Sequence, residues 1–222
     1  PNGGVPAGEG DTGGNRGFAE GTGGGIGEDE GNDRMKCTVD DVCSVITEGK
    51  HQTPQYCGKE GVIFLSSKDV VTRKIDWTNV KYIPQSLHDV LSARLKPQRN
   101  DILLAKNGTT GVAALVDCDK TFDIYVSLAL LRPKVSINPR FLLHAINSPA
   151  SKRQFNIGLK GIGVPNLHLD VIRKTIIDIP NERRQAYIAD CLDALDAVCE
   201  NLYKQLAKLD TLVKSRFIEM FG

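Results

Sequence analysis

NERRQAYIADCLDALDAVCENLYKQLAKLDTLVKSRFIEMF, residues 181–221, decides how this chain is read. Asn181 follows Pro180 and is a residue type that caps the free N–H groups of a helix start; Glu182 suits the positive end of the helix dipole. From there to Met220 no proline or glycine intervenes. Apolar residues fall at Ile188, Leu192, Leu195, Cys199, Leu202, Leu206, Leu209 and Val213, in alternating steps of four and three. That is the narrow seam of a coiled coil, held over more than three heptads. Glu200 with Lys204, and Asp210 with Lys214, are favourably ordered pairs on the outside. At 1.5 Å per residue such a helix is roughly 60 Å long, more than a small domain can cover. The seam therefore predicts a second helix, from another copy or from another protein.

The other end of the chain is the opposite in texture. Residues 1–34 are glycine-rich and hold seven acidic residues against two basic ones, a net of −5, so the remainder carries +6. Such a segment buries too little surface to offset its ordering entropy and reads as a disordered leader. Its glycines follow no strand and precede no G-K-[ST], so they do not make a phosphate loop. Met35 marks the expected start of the folded part. The moderately basic body is compatible with a polyanionic partner.

Between these ends, short apolar runs alternate with turn signals. Val39 to Ile46 is a short element of open type. Gly61 to Leu65 reads as a buried strand, and Trp77 to Ile83 as another. The apolar runs Asp101–Ala105 and Gly111–Val116 flank Lys106-Asn-Gly-Thr-Thr110, whose Asn-Gly pair predicts a hairpin with an exposed polar tip. Tyr125 to Leu131 reads as a strand stopped by Pro133. Asn138-Pro139 opens a helix, a second helix runs from Pro149 to about Ile157, and Thr175 to Ile179 is a last strand. Strands and helices mix without regular βαβ spacing, so the expected class is α+β, or irregular α/β, followed by a long coiled-coil helix. The implied division is 1–34 leader, 35–180 domain, 181–222 helix.

The chemistry-bearing residues are sparse. The six cysteines form no C-x-x-C pair, and the four histidines (His51, His88, His144, His168) form no H-E-x-x-H. No metal site or catalytic constellation is expected, and no G-x-S-x-G is present. No run of about eighteen apolar residues suggests a membrane span, and no signal-peptide pattern opens the sequence; a cytoplasmic protein with reduced thiols is expected. Gly158, Gly161 and Gly163 form a loose pattern after a helix, which argues against a dinucleotide site. Flexible backbone there can approach a ligand closely, with Lys160 and Asn166 suited to phosphates and base edges.

The order of several pieces resembles the specificity (S) subunit of type I restriction-modification systems, over about Met35 to Gly222. They are Gly49…Thr53-Pro54; Asp101-Ile-Leu-Leu-Ala-Lys-Asn-Gly-Thr-Thr-Gly111; Tyr125-Val-Ser-Leu-Ala-Leu-Leu-Arg-Pro133; and Phe141-Leu-Leu…Asn147-Ser148. Then follow Gly161-Ile-Gly-Val-Pro-Asn-Leu167, Ile176-Ile-Asp-Ile-Pro180, Arg184-Gln185…Ile188 and Leu209…Ser215…Phe221-Gly222. The resemblance implies a target-recognition domain at 35–180 that reads one half of a bipartite double-stranded DNA sequence. It also implies a conserved spacer helix at 181–222 that binds methyltransferase (M) subunits. No chemistry is implied for this subunit: S-adenosylmethionine, ATP and Mg belong to the M and restriction (R) subunits. A complete subunit of the family usually holds two domains and two helices, so this chain looks like a half-subunit. Homodimerisation or pairing with another half-S chain through the helix is then expected. The implied DNA contacts are Lys50, His51 and Gln52; Lys106, Asn107, Thr109 and Thr110; and Lys160, Gly161 and Asn166. Arg73, Lys74, Arg99, Lys152 and Arg153 are candidates for phosphates. Two other readings stay open: the recognition end of a fused methyltransferase-endonuclease, and an assembly or competitor half-subunit with no DNA target of its own.

Overall fold

A computed structural model describes residues 34–159 and 165–222. In chain order the elements are β1 (Met35–Thr38), α1 (Val39–Val42), β2 (Cys43–Glu48), β3 (Val62–Leu65), β4 (Val70–Val71), β5 (Lys74–Ile75), β6 (Lys81–Ile83) and α2 (Gln85–Arg94). There follow β7 (Ile102–Ala105), β8 (Ala113–Leu115), β9 (Phe122–Ile124), β10 (Leu128–Pro133), α3 (Pro139–Asn147), α4 (Pro149–Gly158), α5 (Leu169–Lys174), β11 (Ile176–Ile179) and α6 (Glu182–Phe221). The class is the expected mixture of sheets and helices followed by one long helix. The leader falls almost wholly outside the described residues.

The centre is a four-stranded antiparallel sheet in the order β2-β10-β7-β8. Its two middle strands are apolar at every position from Ile102 to Ala105 and from Leu128 to Leu131, and all eight residues are buried. Strand side chains alternate between faces, so a continuous apolar run means that both faces are covered. Ile102, Leu104, Ala129 and Leu131 join one core with Leu142, Phe155 and Ile172 of the helices. Leu103, Ala105, Leu128 and Leu130 join a second core with Leu65, Phe122 and Ile124. The strands of those last three residues, β3 and β9, pair in parallel, and β6 pairs antiparallel with the other side of β3 in a small sheet.

The edge strand β8 meets a side chain where a neighbouring strand would be. Asn147 at the end of α3 accepts from the Ala113 N–H and donates to the Ala113 carbonyl, both at 3.0 Å. A buried sheet edge needs such partners, and an amide offers both a donor and an acceptor. The helix that delivers it starts as the sequence predicts: Asn138 accepts from the N–H groups of Arg140 and Phe141.

Several expectations need correction. Trp77 to Ile83 is a strand only at Lys81–Ile83. Asp76 accepts from the Thr78 N–H and hydroxyl, a side-chain turn that takes the chain out of extended conformation. Tyr125 to Leu131 is not one strand; a turn closed by Leu128 N–H to the Tyr125 carbonyl separates β9 from β10. The β7–β8 connection is wider than a two-residue turn, with positive φ at Gly108 and Gly111. Val39 to Ile46 divides into the one-turn helix α1, closed by a capping box between Thr38 and Asp41, and the start of β2.

β1 pairs antiparallel with β11, which brings the start of the described chain beside the entry to α6. Asn181 caps α6 by accepting from the Arg184 N–H. The helix is as long as the sequence predicts, 40 residues. Its first turns pack on the chain's own domain: Ala189 is fully buried, and Gln185 accepts from the Asn138 N–H at 2.8 Å. Ile188 and Leu192, expected to face a partner, are half-buried, Ile188 against the domain's helical core. Leu195, Cys199, Leu202, Leu206, Leu209 and Val213 remain exposed, Leu202 at 53% and Val213 at 67%. No helix of the described residues is long and apolar enough to cross a membrane.

Candidate nucleic-acid interface

Three chain segments that lie far apart in sequence converge at one end of the central sheet. The end of β2 continues into a loop held by backbone bonds from Lys50 N–H to the Ile124 carbonyl and from Val126 N–H to the Lys50 carbonyl, each 3.0 Å. The contact brings Gly49 so close to β9 that a Cβ there would stand 2.0 Å from the Ile124 oxygen. Only glycine fits such an approach without backbone movement. The β7–β8 loop lies alongside, tied by Lys106 N–H to the Ser127 carbonyl at 2.8 Å. The third segment joins when the Leu167 N–H donates to the Lys106 carbonyl at 2.9 Å, and Asn107 and Asn166 form an isolated antiparallel bridge.

These contacts enclose a cleft of about 410 Å³. Of the residues expected to touch DNA, His51, Lys106, Asn107 and Asn166 line it. Five lining residues were not anticipated: the polar Glu48, His168 and Asp170, and the apolar Val126 and Leu169. Lys50 faces a different and much smaller recess, beside Arg94 and Asp123. Gln52 and Thr109 are exposed and Thr110 is half-buried, all three outside the cleft lining. Lys160 and Gly161 lie outside the described residues.

The cleft floor holds a buried ion pair. Lys106 is not at an exposed tip; its side chain is buried, and its Nζ forms an ion pair with Glu48. His51 Nε2 lies 2.9 Å from the other Glu48 oxygen. A buried lysine must be paired, and this one is bound to a carboxylate. Lys106 therefore holds Glu48 in place and is not an uncommitted cation for a phosphate. The cleft also presents two asparagine amides, the imidazoles of the exposed His51 (its Nε2 on Glu48) and His168, and the exposed Asp170 carboxylate. The Asn166 Oδ1 atom is buried without a hydrogen-bond partner. Amides in a groove are suited to the donor–acceptor edge of adenine.

The phosphate candidates divide. Arg73 and Lys74 are engaged with α6 rather than turned outward, through Asp196 and Glu200. Arg99 meets Asp119 at 3.3 Å on the surface. Lys152 and Arg153 are exposed on α4. Beside the smaller recess, His88 Nδ1 lies 2.7 Å from Asp123 Oδ2; burial raises the Asp123 carboxyl above its ordinary range against the opposing bond from His88. Among the described residues no three His, Cys, Asp or Glu side chains gather as metal ligands would.

A family model described as "Type I restriction modification DNA specificity domain" matches residues 32–210. The specificity subunit of the type I restriction enzyme EcoBI of Escherichia coli is 23% identical over 168 residues, covering 73% of this chain and 35% of that protein. Among solved structures, the S subunit of the type I restriction-modification system of M. genitalium superposes with a TM-score of 0.54 at 17% identity, over 79% of this chain and 42% of that one. The HsdS subunit of Thermoanaerobacter tengcongensis gives 0.59 at 17% identity, over 82% and 42%. A chain from a structure concerned with complex assembly and conformational transition of the type I system gives 0.65 at 18% identity, over 86% and 45%. These superpositions bear on the fold. The chain spans less than half the length of each of these relatives.

Proposed function

Because the chain belongs to the type I restriction modification DNA specificity family, we propose that it binds double-stranded DNA in a sequence-specific manner and directs methyltransferase and endonuclease subunits to that sequence. The observation that carries this reading, beside the family, is the cleft where the β2, β7–β8 and Asn166 segments meet. It presents two amides, two imidazoles and the Asp170 carboxylate beside an internally neutralised Lys106–Glu48 pair. Such a surface reads base edges by hydrogen bonding, while exposed cations such as Lys152 and Arg153 serve phosphates.

The chain has no catalytic part in this proposal. S-adenosylmethionine, ATP and Mg act in the M and R subunits, and the complex works in the cytoplasm. The exposed stretch of α6 from Leu195 to Val213 pairs with a second copy or another half-S chain, since an apolar heptad face of that length is unstable in water.

The test combines the chain with its methyltransferase subunits and a plasmid library, then sequences the methylated sites. The proposal predicts one recurrent sequence that is lost when the chain is omitted. An assembly or competitor protein would leave the library unmethylated and would suppress methylation by a full-length specificity subunit.

A further inference from the structure

Residues 48–51 alternate between two surfaces. Glu48 and His51 line the cleft, while Gly49 and Lys50 line the small recess beside it. Leu91, Arg94, Leu95 and Pro97, at and just after the end of α2, supply the other wall of that recess. Helix α2 buries none of its residues, so deep packing does not hold it there. Two polar ties do. His88 Nδ1 lies 2.7 Å from Asp123 Oδ2, and Arg94 Nη2 donates to the Glu48 carbonyl at 2.9 Å. Both ties end on chain that borders the cleft. Asp123 precedes Ile124, whose carbonyl accepts from the Lys50 N–H, and Glu48 sends its side chain to Lys106 in the cleft floor.

The charges at this recess differ from those of the other cations considered for DNA. Arg73, Lys74, Arg99 and Lys106 each meet a carboxylate. Arg94 is exposed and meets a neutral carbonyl, which occupies one of its five N–H donors and cancels none of its charge. Lys50 is half-buried, and among the described residues its ammonium is in no ion pair with a carboxylate. Of the described residues lining the recess only Asp123 carries a carboxylate; its side chain is 3% exposed and engaged by His88, so it is withdrawn from the mouth. Two cations over one enclosed carboxylate leave a positive rim. At about 10 Å³ the recess holds about one water, so an anion as large as a phosphate lies across its mouth.

We propose that Lys50 and Arg94 form a phosphate anchor for the DNA backbone, built beside the cleft and tied to it through Glu48. This rests on the function proposed above. Phosphate contacts fix the register of a protein on a duplex and carry no sequence information. A guanidinium held on the Glu48 carbonyl joins that register to the strand whose side chain enters the cleft floor. The anchor thus sets how tightly the chain holds any duplex, and the cleft sets which sequence it prefers.

The test is the salt dependence of binding. Each phosphate neutralised by a protein cation releases counterions and adds about 0.9 to the slope of log affinity against log salt. The full chain, assembled with its methyltransferase subunits, is titrated with a duplex carrying the methylated sequence and with a random duplex of equal length, over about 0.05–0.3 M KCl. Lys50→Gln and Arg94→Gln are each expected to lower the slope by about 0.9 per chain. Each should weaken binding to both duplexes about fivefold at about 0.15 M salt and leave the methylated sequence unchanged. Arg94→Lys keeps the charge and is expected to keep the slope. Lys50 makes its loop contacts through its backbone, so Lys50→Gln is expected to fold normally. An unaltered slope in either glutamine variant overturns the proposal, even if affinity or melting temperature falls, because a structural role alone does not change the number of counterions released. An Arg94→Lys slope as low as that of Arg94→Gln also overturns it. A wild type with no preference for the target over the random duplex refutes the function reading, while the slopes still decide on the anchor.

Discussion

Replacing Asn147 by alanine removes the side chain that closes the outer edge of β8. The Ala113 N–H and carbonyl, both bonded to that amide at 3.0 Å, lose their partners, and Ala113 is fully buried. Each buried group left unpaired costs about 1–3 kcal/mol, so the loss lies between about 2 and 6 kcal/mol. Water entering the vacated polar space would bring it toward the lower end, and about 3 kcal/mol is the working figure. With a urea slope of about 2 kcal/mol/M, the unfolding midpoint falls by about 1.5 M at unchanged slope. Chain concentration must be held fixed, because any pairing through α6 adds concentration-dependent stability. Asn147→Leu separates the lost bonds from the lost volume: it fills the space but satisfies neither backbone group. Leucine is therefore expected to rescue little. A loss under about 1 kcal/mol for alanine, or near-complete recovery with leucine, would refute the edge-closing role.

Gly49→Ala places a Cβ 2.0 Å from the Ile124 carbonyl oxygen and should cost at least about 1–3 kcal/mol by overpacking, read by thermal or urea melting; a neutral substitution would show that the approach is not tight. Burial pushes the Asp193 carboxyl upward, but hydrogen bonds from His144 and Arg140 outweigh it and hold the group below its ordinary value of 3.8. A depressed carboxylate contributes stability that is present above its unfolded pKa and lost as pH falls through its folded one. Asp193→Asn should flatten that part of the acid titration, and parallel acid-unfolding curves would argue against it. Leu202→Glu with Leu209→Glu should weaken self-association at least about a hundredfold, since each leucine withdrawn from water contributes about 1.5–3 kcal/mol. The folded domain should be untouched, and sedimentation showing equal association would remove the seam from the pairing surface.

The central sheet was legible because β7 and β10 are buried on both faces, which leaves unbroken apolar runs. The long helix was legible because its seam never breaks and Asn181 marks its start. Helix α2 was not, since Leu87, Val90 and Leu91 give it a single short apolar turn and no residue of Gln85–Arg94 is buried. Strand β1 was missed because Met35 and Lys36 are exposed and its pairing partner lies at the far end of the domain. In the cleft, Asn107 and Asn166 were legible as turn and loop residues with amide side chains. Glu48, His168 and Asp170 were not, because only the convergence of three distant segments brings them together. The misreading of Lys106 has the same cause: its residue type and its place beside Asn-Gly suggest exposure, but the partner that buries it, Glu48, is 58 residues away. Arg73 and Lys74 likewise found carboxylates on α6, at separations of 123 and 126 residues, that no local pattern announces.

The proposed function rests on this cleft choosing the DNA sequence. The most direct measurement is the profile of sequences methylated by the complex assembled with wild type, Asn107→Ala and Asn166→Ala. Each variant is expected to relax preference at one or two base pairs of a half-site, by about 1–3 kcal/mol, while the remaining positions hold. A profile identical in all three, or a uniform loss of methylation at every position, would contradict it.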